Sequence, residues 1–378
     1  MSIDNSKPLA WAEINLTLLQ KNLNIIRSYL DGHTKLLGVV KHDAYGHGAC
    51  AIAKFLAANG IDYLGVGRVA EGIELRQAGI ATPILVMGLS FAGEAESIVR
   101  HQLTPTVCDP EFADALQQYC DVYQSNLKIH IRVDTGRGGI GVHPEHFESF
   151  LLQIIAKKRL RIEGIFTHLI SAYRGERESV TTEIADFNRC VACAAANDVQ
   201  IPLQHAASSP GILRVPEANF TMVRSGTALW GLPSFPGQKM DGLQPIMQLK
   251  SRILNISRLS GLAMLGYTCP VKLEGDLKVA VLPLGYGDAS FLIYLKNGEV
   301  LVKGRRVRIL GQPCMGHLLL DVTPFPEIAV GDETVVFGKQ QGQSVSVTEL
   351  AEKSGVTLQC CESLCMVGKQ VTRLYVEG

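Results

Sequence analysis

The stretch Leu127-Lys128-Ile129-His130-Ile131-Arg132-Val133-Asp134 alternates strictly between apolar and polar residues. A period of two belongs to a β-strand. It puts Ile129, Ile131 and Val133 on one face and Lys128, His130, Arg132 and Asp134 on the other. This run is the fifth of eight apolar, β-branched runs, at 36–40, 63–66, 84–87, 104–107, 127–133, 162–167, 203–207 and 220–223. Most of the first six lead into helical spacing of apolar positions, as at 49–58, 69–78 and 147–156. Alternating β and α units of this length imply a parallel sheet, and eight of them close most naturally into an α/β fold of the (βα)8 TIM-type barrel kind. In such a barrel the apolar face of the fifth run meets the surrounding helices. Its charged face then points inward and toward the carboxyl ends of the strands, where this architecture carries its sites.

Beyond Gly231 the pattern changes. Leu232-Pro233-Ser234-Phe235-Pro236-Gly237-Gln238 is rich in turn residues, and helical periodicity nearly stops after it. Short strands are expected at 249–256, 278–284, 300–302, 307–310, 318–322 and 334–337, with helices only at 347–354 and 358–366. We therefore expect a barrel over residues 1–235 and a mostly β C-terminal domain over 236–378.

The totals narrow the function. A chain of 378 residues exceeds one small core, and 36 basic residues balance 36 acidic ones, so no net field favours nucleic acid or an anionic membrane. The expected partner is a small molecule. The N-terminus, Met1-Ser2-Ile3-Asp4-Asn5-Ser6-Lys7-Pro8, has neither a basic start nor an apolar core, which leads us to expect a cytoplasmic protein. Ten cysteines without a secretion signal fit buried thiols in a reducing compartment. Cys190 and Cys193 lie in a helix-like run, where their spacing puts two small apolar groups on one face. Together with Cys360, Cys361 and Cys365 they make a weak case for zinc, and no metal is expected.

Lys41 closes the apolar run Leu36-Leu37-Gly38-Val39-Val40 and opens Lys41-His42-Asp43-Ala44-Tyr45-Gly46-His47-Gly48. Desolvation at a buried strand end disfavours the ammonium form and leaves the amine free to attack an aldehyde. Other polar groups fall on other strand ends of the same barrel: Arg137, His168, Ser208 and Ser209, and Arg224-Ser225-Gly226-Thr227. Ser209 at the start of a helical turn and Gly226, which permits close backbone approach, can present donors to a phosphate. A lysine amine and a phosphate cradle in one barrel mouth suggest pyridoxal 5'-phosphate.

Val40-Lys41-x-Asp43-Ala44-Tyr45-Gly46-His47-Gly48 resembles the coenzyme-attachment signature of the alanine racemase family. The likeness continues through Glu163-Gly164-Ile165-Phe166-Thr167-His168, Met222-Val223-Arg224-x-Gly226, Leu282-Pro283-x-Gly285-Tyr286-x-Asp288 and Gly311-x-x-Cys314-Met315. The resemblance implies a barrel followed by a β domain, and a homodimer in which the partner's β domain completes each site. It implies racemisation of a small amino acid, L-alanine to D-alanine first of all, by two bases. Lys41 would hold the coenzyme and serve one face of the substrate, and Tyr267 the other. Tyr45, Ser209, Gly226 and Thr227 would hold the phosphate. Arg224, supported by His168, would face the pyridine nitrogen, and the backbone of Met315 would meet the substrate carboxylate.

The departures from the family's pattern gather around the chemistry. Arg132 stands where the family has a modified lysine, and Gly139 where it has an arginine. Arg132 or Arg137 is expected to supply the missing positive charge directly. Thr268-Cys269-Pro270 follows Tyr267 in place of an aromatic pattern, Gly316-His317 replaces an acid and an amide after Met315, and Lys369 aligns with a phosphate-binding tyrosine. Racemisation of a larger amino acid, serine or lysine, and a catalytically weakened coenzyme-binding relative therefore stand as alternatives. A barrel decarboxylase is less favoured.

Overall fold

The computed structural model describes residues 8–377 apart from 137, 235–241, 261, 265–269, 273–274, 296–297 and 354–359. The described residues form two compact units. One comprises Gln20–Ala44 and Ala49–Gln244, and the other Met1–Leu19, Tyr45–Gly48 and Pro245–Gly378.

The opening strand, β1 (Ala10–Asn15), belongs to the second unit. The first unit is built on eight parallel strands: β2 (Lys35–Val39), β3 (Tyr63–Val66), β4 (Ile84–Val86), β5 (Thr104–Val107), β6 (Leu127–Arg132), β7 (Leu160–Phe166), β8 (Leu203–His205) and β9 (Met222–Ser225). Every residue of β3, β4, β5 and β9 is buried, as expected of strands covered on both faces; β3 and β4 accordingly read as short apolar runs, while β5 carries Thr104 and Thr106 and β9 ends in Arg224 and Ser225. The strands pair in the order β8-β7-β6-β5-β4-β3-β2-β9, a nearly closed barrel with helices between the strands. Between β8 and β9 the ladder gives way to individual bonds. The Thr221 hydroxyl accepts from Gln204 N–H at 2.7 Å and donates to Pro202 O at 2.8 Å, while Arg224 N–H donates to Ala207 O at 3.0 Å.

Local chemistry sets where helices begin. Asp109 Oδ2 accepts the Phe112 N–H at 2.9 Å and Pro110 occupies the first turn, so helix Pro110–Val122 starts where its orphan donors are met.

The second unit is a sheet ordered β11-β14-β17-β16-β15-β18-β10-β1-β20. Its strands are β10 (Met247–Arg252), β11 (Asn255–Leu259), β14 (Leu277–Leu282), β15 (Glu299–Val302), β16 (Arg305–Leu310), β17 (Leu318–Asp321), β18 (Glu333–Gln340) and β20 (Thr372–Val376). A short β19 (Gln343–Val345) pairs with β18, and β12 (Leu262–Met264) pairs with β13 (Pro270–Lys272). The single strand expected at 249–256 is two strands in the structure. Ile253 N–H bonds to Asp332 O and Leu254 N–H to Val281 O, so the backbone changes neighbours there and turns a corner.

Candidate active site at the barrel mouth

Lys41 follows β2 and starts a turn in which His42, Asp43 and Ala44 have φ of 51°, 56° and 52°, and Tyr45 follows at 55°. Four consecutive non-glycine residues in the left-handed region cost about 1–2 kcal/mol each. Specific bonds hold this turn. Glu71 Oε1 accepts His42 N–H at 2.7 Å, Val40 O accepts Ala44 N–H at 2.9 Å, and Asp43 Oδ1 accepts Ala49 N–H at 2.8 Å. Glu71 Oε2 also takes the N–H groups of Gly67 at 2.6 Å and Arg68 at 3.1 Å, so one carboxylate ties the turn after β2 to the turn after β3. A Cβ on Gly67 would lie 3.6 Å from Lys41 Cβ, so the lysine stem runs past bare backbone.

Tyr45–Gly48 belongs to the second unit, where its fastening is also visible. Arg373 donates from Nε and Nη2 to Gly46 O at 3.0 and 2.9 Å, and Tyr375 Oη donates to His47 O at 3.0 Å. Gly46 has φ +83°, and a Cβ there would come 2.2 Å from Leu364 O. We expect Gly46→Ala to destabilise the protein by about 2–4 kcal/mol, since strain and overpacking add, and to lower coenzyme retention. A thermal melt within a degree of the parent would contradict this.

Arg132 ends β6 with its side chain buried. Its Nη1 donates to Met87 O at 3.3 Å, and its guanidinium lies 5.5 Å from the centre of the Phe166 ring. The Arg224 guanidinium lies 5.4 Å from the same ring. Cation–π attraction offsets part of the repulsion between two buried cations. Beyond β6, the Asp134 carboxylate accepts the N–H groups of Gly136 and Gly138, each at 3.2 Å, and Gly139 at 2.6 Å, which folds the glycine-rich loop around it. A Cβ on Gly139 would meet nothing within 4 Å. Arg137 lies outside the described residues.

Arg224 is held on four acceptors. Nη1 donates to His205 Nδ1 at 3.0 Å and His205 O at 2.8 Å, and Nη2 to Thr167 O at 2.7 Å and Ala206 O at 3.1 Å. Burial, with Arg132 nearby, pulls its pKa down to about 9, which leaves it a cation at neutral pH. Burial, then Arg224 and His130, push His205 well below the usual histidine range, so it is neutral. The sequence reading assigned support of Arg224 to His168. The structure adds His205 as a direct partner of Arg224, and the His168 ring lies 5.6 Å from that of Tyr173. His205 was missed because nothing in Leu203-Gln204-His205 reveals which neighbouring strand it faces.

Ser209 opens the helix Ser209–Arg214, and its Oγ accepts the N–H groups of Gly226 at 3.0 Å and Ala228 at 3.2 Å, so the expected donor at Gly226 is turned to the serine. Thr227 Oγ1 shares a hydrogen bond with Ser234 Oγ at 2.6 Å. The Ser208 and Ser225 hydroxyls are buried and have no hydrogen-bond partner among the described residues. A buried hydroxyl without a partner costs about 1–3 kcal/mol, and an acceptor-rich phosphate is a group such hydroxyls fit.

In the second unit, Gly285 approaches the 314–315 backbone so closely that a Cβ would lie 2.3 Å from Cys314 O and from Met315 O. Tyr286 N–H donates to Cys314 O at 3.1 Å and Gly287 N–H to Met315 O at 2.8 Å, while the Met315 side chain is exposed. Gly368 N–H, beside exposed Lys369, donates to Asp288 O at 2.8 Å. Tyr267 lies outside the described residues. Among the described residues no helix is long and apolar enough to cross a membrane.

Solved structures share this architecture from end to end. The alanine racemase of Clostridium difficile 630 superposes with a TM-score of 0.92 at 32% identity, over 98% of this chain and 96% of its own. The alanine racemase of Bacillus anthracis, solved with bound L-Ala-P, gives 0.90 at 28% identity, over 98% and 96%. The fold shared with these relatives places the chain among the amino-acid racemases, which are isomerases. The family models "Alanine racemase, N-terminal domain" and "Alanine racemase, C-terminal domain" match residues 14–234 and 246–375. The curated alanine racemase of Methanococcus maripaludis is 34% identical over 97% of this chain and 98% of its own length, and that of Halothermothrix orenii 35% over 97% and 96%. This chain belongs to the alanine racemase family.

Proposed function

We propose that the protein interconverts L- and D-alanine with pyridoxal 5'-phosphate, in the cytoplasm, as a homodimer whose sites each draw on both subunits. The observation that carries this reading is the convergence of Lys41, Arg224 and the Ser208–Ser209–Ser225 hydroxyl group on the carboxyl ends of strands in one barrel. The relatives' printed name supports alanine as the substrate.

The coenzyme, when bound, supplies an electron sink that acidifies Cα of the amino acid. Lys41 Nζ would hold it covalently and carry the proton on one side of Cα. Tyr267 Oη would carry the proton on the other side. A free tyrosine has a pKa of about 10, so its neighbours must share or offset the phenolate charge. Arg224 would face the ring nitrogen with a guanidinium that remains charged, which keeps a proton off that nitrogen. Ser208, Ser209, Tyr45, Gly226 and Thr227 would bind the phosphate, with Lys369 as a further point charge. Arg132 or Arg137, with the Met315 backbone, would orient the substrate carboxylate.

Borohydride reduction of the coenzyme-loaded protein, followed by peptide mapping, should tag Lys41. Incubation with single L-amino acids in heavy water should exchange the alanine Cα proton as chirality is lost, without release of carbon dioxide. A tag on any other lysine, or exchange without racemisation, would defeat the reading. The departures from the family's pattern at Arg132 and Gly139 keep one alternative, a substrate with a larger side chain such as serine or lysine. The same assay decides it by the ratio of kcat/KM values.

A further inference from the structure

A line of polar side chains crosses the barrel interior from Arg224, near the carboxyl end of β9, to the amino-terminal half of the sheet. Arg224 Nη1 meets His205 Nδ1 at 3.0 Å, and His205 Nε2 meets His130 Nδ1 at 2.9 Å. His130 Nε2, buried and within hydrogen-bond distance of no acceptor among the described residues, faces Glu163 Oε2 at 3.6 Å. Glu163 in turn accepts from Tyr63 Oη at 2.6 Å and pairs with Lys128 Nζ at 2.5 Å, and Tyr63 Oη also meets Thr104 Oγ1 at 3.0 Å.

The proton arrangement along this line has one solution. A guanidinium only donates, so His205 Nδ1 must accept and the ring proton of His205 sits on Nε2. That N–H donates to His130 Nδ1, which places the His130 proton on Nε2, aimed at a carboxylate that only accepts. Both imidazoles are neutral, in accord with their full burial, which lowers the pKa of each. Burial alone would raise Glu163, but His130 facing it, with Lys128 and Tyr63 bound to it, outweighs burial and holds the carboxyl down to about 2.

The backbone is shaped for this line. The β6–β7 register shifts between Ile129 and His130, pairing His130 with Gly164 and leaving Glu163 as the extra residue of a bulge. A Cβ on Gly164 would stand 2.5 Å from His130 Cε1 and Nδ1, so the imidazole occupies space that only glycine leaves open. The Glu163-Gly164 pair thus supplies both the charge and the room.

We propose that Glu163 is a remote positioning residue for the racemase site, holding from the far end the Nε2–H tautomers of His130 and His205 that Arg224 requires, so that Arg224 keeps one orientation and the bonds from both its Nη groups. Its consequence for catalysis rests on the reading that Arg224 faces the coenzyme ring. With Glu163→Gln the lower end of the line can donate as well as accept. The reversed arrangement then competes, and in it His205 presents an N–H to a guanidinium N–H.

The experiment uses the full-length protein loaded with pyridoxal 5'-phosphate, labelled with 15N at histidine, its imidazole signals assigned by single substitutions. In the parent protein both His130 and His205 should show an unprotonated Nδ1. E163Q should mix or reverse these tautomers, shift the coenzyme absorbance band and lower kcat about tenfold with KM little changed, and E163D should restore the tautomers. An Nδ1–H on either imidazole in the parent protein overturns the proposal without recourse to any variant, and so do unchanged imidazole signals in E163Q. Altered imidazoles beside an unmoved coenzyme band would instead uphold the line and refute the placement of Arg224 at the coenzyme ring.

Discussion

Lys41→Ala should leave a folded barrel that racemises at least about 10³-fold more slowly and no longer absorbs as a lysine-bound coenzyme. The separation of fold from function follows from where the residue sits. Lys41 is only half-buried, lies past the end of β2, and runs its stem beside the bare Gly67 backbone, so its removal takes little from the core. The cost in stability should stay within about 1 kcal/mol, near the centre of the range for single substitutions. Small primary amines added to the K41A protein should restore part of the turnover, which a purely structural lysine would not permit. Activity within tenfold of the parent would dismiss the lysine as the group that handles the proton.

Arg224→Leu has the opposite character, since it should damage the fold as well as the chemistry. The guanidinium is buried and serves three carbonyls and one imidazole nitrogen. Leucine returns none of these bonds, and each buried acceptor left without a donor costs about 1–3 kcal/mol. Even with partial relaxation the loss should exceed about 4 kcal/mol, a large share of the roughly 5–15 kcal/mol that holds a domain folded. Thermal denaturation should show a midpoint lower by at least about 10 °C. Arg224→Lys keeps the charge but not the planar fork, and should fall between leucine and the parent in both melting and turnover. A leucine variant melting within two or three degrees of the parent would mean that water or neighbouring donors replace the guanidinium.

The barrel was legible because its strands are covered on both faces and so write themselves as eight apolar runs; β3 and β5 fall where those runs were read. β1 was not legible. Its partners are β10 and β20, and no local pattern announces a pairing with the far end of the chain. The run at 249–256 looked continuous because both halves are strand, and the change of neighbours at Ile253–Leu254 is a property of the sheet. Lys41, Ser209 and Arg224 could be nominated because a strand end is visible in one dimension. The His205–Arg224 bond and the bulge at Glu163 could not, because each depends on register between separate strands. Lys41-His42-Asp43-Ala44-Tyr45 reads as a turn, yet its left-handed winding has no signature in a segment that reaches its first glycine only at Gly46.

The fastening of Tyr45–Gly48 has a consequence for biosynthesis. Arg373 and Tyr375, which grip Gly46 and His47, follow them in the sequence by 327 and 328 residues. Until they are synthesised, the turn after Lys41 has its barrel-side bonds but lacks those at Gly46 and His47, and its complete fastening must wait for β20. A truncated product lacking the final strand would keep the barrel's hydrophobic signature yet never mature into a catalyst.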